Sequence, residues 1–313
     1  MGALLPPEAS AYAPHVDHIF LGIVALSVVI VLLVLALVIG FSIRYRNGSK
    51  AYRGPLPSSI SREFEIGWTA GALFLGLFLF WWAGSSQLTQ LFPPKDAVEI
   101  HVVAKQWMWK TQHPSGAREI NALHAPLGVP VKLIMTSQDV IHSFYVPAFR
   151  MKQDVLPGRY TETWFKATKP GIYHLFCAEY CGLDHARMTG EIVVMPQGDY
   201  ARWSSAQPQG DDLAHQGAAL FQSLGCAGCH GGSGAVRAPD LNGLYGRAVP
   251  LARGGFRTAD EAYLRDSILE PRKDVVAGFK PVMPSFAGML SEDDLVPLIA
   301  YLKSLRSQGG PRP

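Results

Sequence analysis

Two short stretches concentrate the residues that could hold metals. The first, Cys177-Ala-Glu-Tyr-Cys181-Gly-Leu-Asp-His185-Ala-Arg-Met188, packs two thiols, an imidazole and a thioether into twelve positions. His142 stands 35 residues upstream of Cys177, at the end of another strand-like run. Soft thiolate and thioether donors combined with imidazole form a copper ligand set. A mononuclear blue-copper site uses one Cys, so the second thiolate fits a binuclear copper centre. In such a centre both sulfurs bridge both metals, each copper takes one His, and the weak positions fall to Met188 and a backbone carbonyl. Three other readings use the same residues. One is a Cys177–Cys181 disulfide in an oxidising compartment. Another is a zinc site of two Cys and two His. The third is a C-x3-C copper chaperone on a thioredoxin-like fold. The first two leave Met188 without a role, and the chaperone expects its His far downstream in a βαβ context.

The second stretch is Cys226-Ala-Gly-Cys229-His230. C-x-x-C-H is a c-type haem attachment sequence. Cys226 and Cys229 form thioethers to the haem vinyls, and His230 is the proximal iron ligand. An electron-transfer cytochrome takes Met as its sixth ligand, and Met283 and Met289 are the two candidates. Met283 lies in Pro281-Val-Met-Pro284, which resembles the distal-ligand setting of small class I cytochromes c. Met289, in Gly-Met-Leu just before a helix, reads as packing. Pro239 resembles the proline whose carbonyl orients the proximal imidazole, a role that fixes a ligand's tautomer.

The elements that must position these groups follow from the rest of the chain. Of 313 residues, 48% are hydrophobic and only 17% charged, against about 25% charged in an average soluble chain. Intrinsic disorder is excluded, and a purely soluble enzyme is disfavoured. A net charge of +3 is too small an excess for a dedicated nucleic-acid binder. Ile19 to Ile43 is uncharged over 25 residues, and a second uncharged run goes from Ile66 to Phe92. A bilayer core needs roughly 20 apolar residues in a helix. The loop between the runs carries Arg44, Arg46, Lys50, Arg53 and Arg62. By the positive-inside rule that loop is cytoplasmic and both termini lie outside. After Pro93-Pro94 come short alternating segments such as Val98/Ile100/Val102 and Val131/Leu133/Met135, separated by Pro/Gly turns. They predict a β-sandwich whose last strand is Thr189 to Met195. Residues 204–212 read as a polar linker. Helical periodicity follows, ending in a helix that opens with a capping-box variant at Ser291-Glu-Asp-Asp294.

With these residues in place, Ser137-Gln-Asp-Val-Ile-His142 and Cys177-x-Glu-Tyr-Cys181-Gly-x-x-His185-x-x-Met188 resemble the CuA motifs of subunit II of cytochrome c oxidase. Gln106-Trp-Met-Trp109 resembles that family's aromatic signature, and Glu65-Ile-Gly-Trp68-Thr69 its second-helix motif. The family's proline three residues past that Thr is Ala72 here. The resemblance covers residues 15–203, and a C-terminal cytochrome c marks one branch of the haem–copper oxidases. It implies a fold of three pieces: a transmembrane helix hairpin, an all-β cupredoxin and a small all-α cytochrome c domain. The expected boundaries are an external segment at 1–17, the hairpin at 18–92, the cupredoxin at 93–203, the linker at 204–212, the cytochrome at 213–306 and a tail at 307–313.

The resemblance also implies roles. His142, Cys177, Cys181, His185 and Met188 are CuA ligands, with Glu179 giving its backbone carbonyl and its carboxylate reaching a magnesium ion at the subunit I interface. Trp107 matches a tryptophan between the outer surface and CuA. Glu65 matches a carboxylate near a proton-path mouth. The implied function is electron entry to a proton-pumping terminal oxidase of a bacterial inner membrane. Its partners are subunit I, the other oxidase subunits, lipid and an external donor such as cytochrome c or another respiratory complex. No oxygen-reducing centre is expected in this chain itself. A CuA subunit of a nitric oxide reductase and a free-standing tethered electron carrier are the alternatives. Residues 96–196 hold nine acidic and ten basic side chains, so this domain lacks an acidic excess that would steer a basic donor. A tethered haem removes the need for one, because a short tether gives about millimolar effective concentration. The donor is therefore expected to dock on the haem domain.

Overall fold

A computed structural model of the chain describes residues 5–55, 58–207, 213–231 and 238–305. It divides into two compact units, residues 12–92 and residues 1–11 with 93–313.

In the smaller unit, α1 (Ala13–Arg44) and α2 (Ser58–Leu91) are both long and apolar enough to cross a membrane. Helix α1 begins at Ala13, ahead of the expected boundary at 18, because Pro14 suits a first helical turn, where its missing N–H has no partner to lose. Leu, Val, Ile and Phe side chains are exposed along both helices, the pattern of a helix whose solvent is not water. A Cβ at Gly22 would stand 2.9 Å from the Trp82 ring, so this glycine lets α1 and α2 approach.

The larger unit begins with the sandwich. Its strands are β1 (Val98–Lys105), β2 (Met108–Gln112), β3 (Arg118–Ile120), β4 (Ala122–Pro126), β5 (Pro130–Ser137), β6 (His142–Val146), β7 (Met151–Val155), β8 (Thr161–Lys166), β9 (Gly171–Cys177) and β10 (Thr189–Met195). One sheet has the order β3-β2-β1-β5-β8 and the other β4-β10-β9-β6-β7. The pairs β1–β5 and β4–β10 are parallel. Inward-facing Ile100, Val102, Trp109, Leu123, Leu133, Phe144, Leu175 and Ile192 fill the space between the sheets. Burying each such side chain contributes about 1.5–3 kcal/mol. The chain ahead of α1 joins this sandwich: Ala9 donates its N–H to Ala148 O, and Ser10 bridges to Ala167.

After β10 the chain enters α3 (Gln197–Ala206). Residues 204–206, expected in the linker, are therefore helical. Tyr200 and Trp203 pack on His113 and His124, and these contacts outweigh the polar composition. Residues 208–212 and the expected tail at 307–313 lie outside the described residues.

The remaining elements are α4 (Leu213–Ser223), α5 (Ala227–His230), the hairpin β11 (Ala248–Pro250) and β12 (Phe256–Thr258), α6 (Glu261–Leu269) and α7 (Glu292–Ser304). Asp260 caps α6 by accepting from the Tyr263 N–H at 2.7 Å, and Ser291 and Asp294 form a capping box on α7. Helices α4 and α7 cross closely at Gly217, where a Cβ would lie 1.9 Å from Pro297 O. Phe221, Tyr263, Leu264, Ile268, Leu295, Leu298, Ile299 and Leu302 form the core of this second body.

Candidate metal centres

Strand ends and one loop build the first centre. His142 opens β6, Cys177 closes β9, and the loop between β9 and β10 supplies Cys181, His185 and Met188. The two strands pair, with Phe144 opposite Cys177, which brings His142 next to the cysteine. The Cys177 Sγ lies 3.9 Å from His142 Nδ1, 3.8 Å from Cys181 Sγ and 3.2 Å from Glu179 O. The Cys181 Sγ lies 3.5 Å from His185 Nδ1 and 3.8 Å from Met188 Sδ. The five side chains and one carbonyl converge as an open ring of soft donors. Both thiols are free, and their separation rules out the disulfide reading, since a bonded pair stands about 2 Å apart. His142, Cys177, Cys181 and Met188 are buried, and His185 is half-buried.

Burial opposes a Cys177 thiolate, but hydrogen bonds from His142 and the backbone hold its pKa down to about 6. Burial and the charge on Cys177 push Cys181 up to about 12. A second thiolate beside the first is therefore disfavoured unless positive charge lies next to it, which bound metal would supply.

Two residues outside the ligand set hold it in place. Asp139 accepts from the Gln106 N–H at 2.7 Å, and its other oxygen stands 2.8 Å from His142 Nε2. The carboxylate thus fixes the imidazole with Nδ1 towards the sulfurs. Gln106 Nε2 donates to Cys181 O at 2.8 Å, and the Trp107 ring lies over Gly182. Asp139 went unassigned in the sequence, although its place three residues before His142 was a signal. Glu179 turns its carboxylate to solvent, and among the described residues the one cluster of metal-capable side chains is His142, Cys177 and Cys181. No magnesium site is supported.

The second centre is a cavity of about 420 Å³ lined by Cys226, Cys229, His230, Pro239, Met283 and Pro284, with apolar walls that include Leu244 and Phe286. Cys226 and Cys229 sit on the short turn leading into and along α5, and His230 ends it. His230 Nδ1 stands 3.0 Å from Pro239 O, so Nε2 is the nitrogen left for a metal. Met283 lines the cavity. Met289, expected to pack in the core, is 70% exposed instead, because the turn Ala287–Gly288 ahead of α7 turns its side chain out. The cavity's size, apolar walls and convergent thiols, imidazole and thioether fit a covalently attached haem. Glu65 is exposed on α2, 3.5 Å from the Ser61 hydroxyl.

A cupredoxin-like domain with a cluster of soft metal donors, beside a helical domain whose cavity fits haem, defines the class of a two-cofactor redox protein carrying a pair of membrane-type helices. The family described as "Cytochrome C oxidase subunit II, periplasmic domain" matches residues 117–196, and "Cytochrome c" matches residues 214–306. Cytochrome c oxidase subunit 2 of Alkalihalophilus pseudofirmus is 28% identical over 299 residues, 88% of this chain and 85% of that protein. The same subunit of Thermostichus vulcanus is 31% identical over 253 residues, 64% of this chain and 77% of that protein. A crystal structure of the periplasmic domain of subunit II from Bradyrhizobium japonicum shares 33% identity, with a TM-score of 0.36, and covers 37% of this chain and 96% of that one. The chain belongs to the cytochrome c oxidase subunit 2 family, in the form that carries a C-terminal cytochrome c domain.

Proposed function

We propose that this chain is the electron-entry subunit of a proton-pumping haem–copper terminal oxidase. It takes electrons from an external donor and passes them, by way of covalent haem c and binuclear copper, to subunit I, where oxygen becomes water. The observation that carries this reading is the pairing, within one compact unit, of the buried sulfur–imidazole ring with the CxxCH cavity. When bound, haem c and copper supply one-electron redox chemistry. The chain's own residues do the rest. Cys226 and Cys229 anchor the haem, and His230 and Met283 offer axial donors, with Pro239 holding the imidazole tautomer. His142, Cys177, Cys181, His185, Met188 and the Glu179 carbonyl offer the copper donors, with Asp139 fixing His142. Trp107, lying over the Cys181–Gly182 loop, shields the copper donors on that side and is placed to conduct electrons towards them.

The apolar helices α1 and α2 anchor the chain in a bacterial inner membrane, with the basic loop inside and both redox domains outside. Exposed Tyr180 and Leu183 on the ligand loop suit contact with the other oxidase subunits. Glu65, exposed on α2, is our candidate carboxylate for a proton path, on the strength of the second-helix motif alone.

The test is an assembled oxidase whose subunit II ends after Ala206. Oxygen uptake with a small artificial reductant should largely persist, while oxidation of the native donor collapses. Full-rate oxidation of the native donor would contradict entry through the haem domain.

A further inference from the structure

The outer face of the β3-β2-β1-β5-β8 sheet is not a solvent face. In a sandwich, alternate residues point outward and are normally polar and wet. In register across β1 and β5 stand Glu99 with Lys132, His101 with Ile134, and Val103 with Thr136. None of the six belongs to the sandwich core, yet Ile134 is 1% exposed, and His101, Val103 and Thr136 are also buried. Helices α6 and α7 of the haem body provide the cover. Glu261, at the start of α6, is 2% exposed and stands 3.5 Å from His101 Nε2. Lys303, near the end of α7, reaches both Glu261 and Glu99, and its ammonium lies 4.8 Å from the Tyr245 ring centre. Arg265 of α6 donates to Gly158 O at 2.7 Å and pairs with Glu292 at 2.5 Å, over the half-buried ring of Tyr160. At the other end of α7, Asp293 meets Lys110 at 2.8 Å and Gln138 at 3.5 Å.

The last contact matters most for position. Lys110 lies three residues past Trp107, and Gln138 adjoins Asp139, the carboxylate that orients His142. Asp293 itself follows the Met283 segment by ten residues. The N-terminal end of α7, ten residues past Met283 in the chain, is thus fixed to the two segments that support the copper donors.

We infer that the haem domain is a docked module rather than a swinging carrier, and that Lys303, Glu99 and Ile134 are positioning residues that hold it for haem-to-copper electron transfer. The inference rests on the proposed function for its kinetic part only. A buried charge that loses its partner is strongly destabilising. Opening would part Lys303 from Glu99 and His101 from Glu261 and would wet Ile134 and Val103, so the apolar burial together with these pairs resists the partial opening that a free carrier needs. Burial works against charge on both groups, yet the partners hold Glu261 down to about 2 and Lys303 above its ordinary range.

The experiment uses the full chain in the assembled oxidase, with two variants on the copper side of the interface, Ile134→Glu and Glu99→Lys. The first adds a charge and the second reverses one on a sandwich face that tolerates charge once wet, so the sandwich itself is expected to fold. A water-soluble carbodiimide should join Lys110 to Asp293 as an amide in the parent protein, detected as a crosslinked peptide. In both variants that crosslink should fall by about an order of magnitude. After photochemical injection of an electron, haem-to-copper transfer should slow about tenfold and become viscosity-dependent, as expected when a tethered partner must find its site by diffusion. The haem spectrum and copper paramagnetic signal should stay unchanged. A parent protein without the crosslink, or variants that transfer at the parent rate, would overturn the docked-module inference. Absence of haem c or copper signals with the crosslink intact would instead overturn the proposed function and leave the docking standing.

Discussion

Met283 faces the cavity that holds Cys226, Cys229 and His230, whereas Met289 points to solvent. We expect Met283→Ala to lose the sulfur-to-iron absorption of ferric haem c and to lower its potential, because water is a poorer partner for ferrous iron than a thioether. Met289→Ala should leave that band unchanged, and the oxidised visible spectrum of each variant checks this. At the copper donors, Asp139→Asn keeps the size of the side chain but removes the charge that holds His142. Loss of such a supporting partner typically costs about 10–100-fold in metal affinity. Copper content after graded chelation should fall by that factor while the fold is retained. The ligand types and spacings of both centres were legible in the sequence, because coordination chemistry restricts them to few residue types. Asp139 and Gln106 were not assigned. Their role depends on which ring nitrogen and which carbonyl they meet, and spacing alone does not fix that.

At the scale of elements, the edge of the sandwich carries its own charge device. Glu119 accepts from or pairs with both His113 and His124, at 2.8 and 2.5 Å, and receives the His124 N–H at 3.0 Å. His113 also meets Tyr200, and His124 stacks on Trp203 with ring centres 4.3 Å apart. This cluster pins α3 to the sheet. Burial raises the Glu119 pKa, but the imidazole and backbone donors win and hold it at about 2, against an ordinary 4.5. A depressed carboxylate contributes its stability in full above the ordinary value and loses it as pH falls towards the folded one. Glu119→Gln should therefore cost up to about 3 kcal/mol near neutral pH. The gap between parent and variant should narrow from pH 4.5 down to about 2, read as thermal midpoints across that range. The alternation that predicted β1, β5 and β10 was plain in the sequence because one face of each strand is buried. Helix α3 was not legible, since its stability comes from aromatic contacts distant in sequence rather than from its own polar composition. Ile134 and Val103, apolar at outward positions, were the visible trace of a covered sheet. Alternation alone gives no reason why an outward position should be buried.

For the whole molecule, the sequence divided the chain into anchor, sandwich and haem domain by changes in charge, period and turn chemistry. It treated the second and third as tethered neighbours. The structure gathers them into one compact unit, since an interface made of Lys303, Glu99, Glu261, His101 and Arg265 has no local sequence signature. Its residues come from three elements far apart in sequence, β1, α6 and α7, and look like ordinary surface charges when read in order. The central claim is that this one chain holds a binuclear copper centre through two bridging thiolates beside a covalent haem c. Electron paramagnetic resonance of the intact oxidase, paired with copper and haem c quantitation, tests it most directly. The account predicts a copper signal whose hyperfine structure is shared over two copper nuclei, with two coppers for each haem c over and above the copper of subunit I, and its complete loss in Cys181→Ser while haem c is retained. A signal from a single copper nucleus, or a shared signal that survives Cys181→Ser, would contradict it.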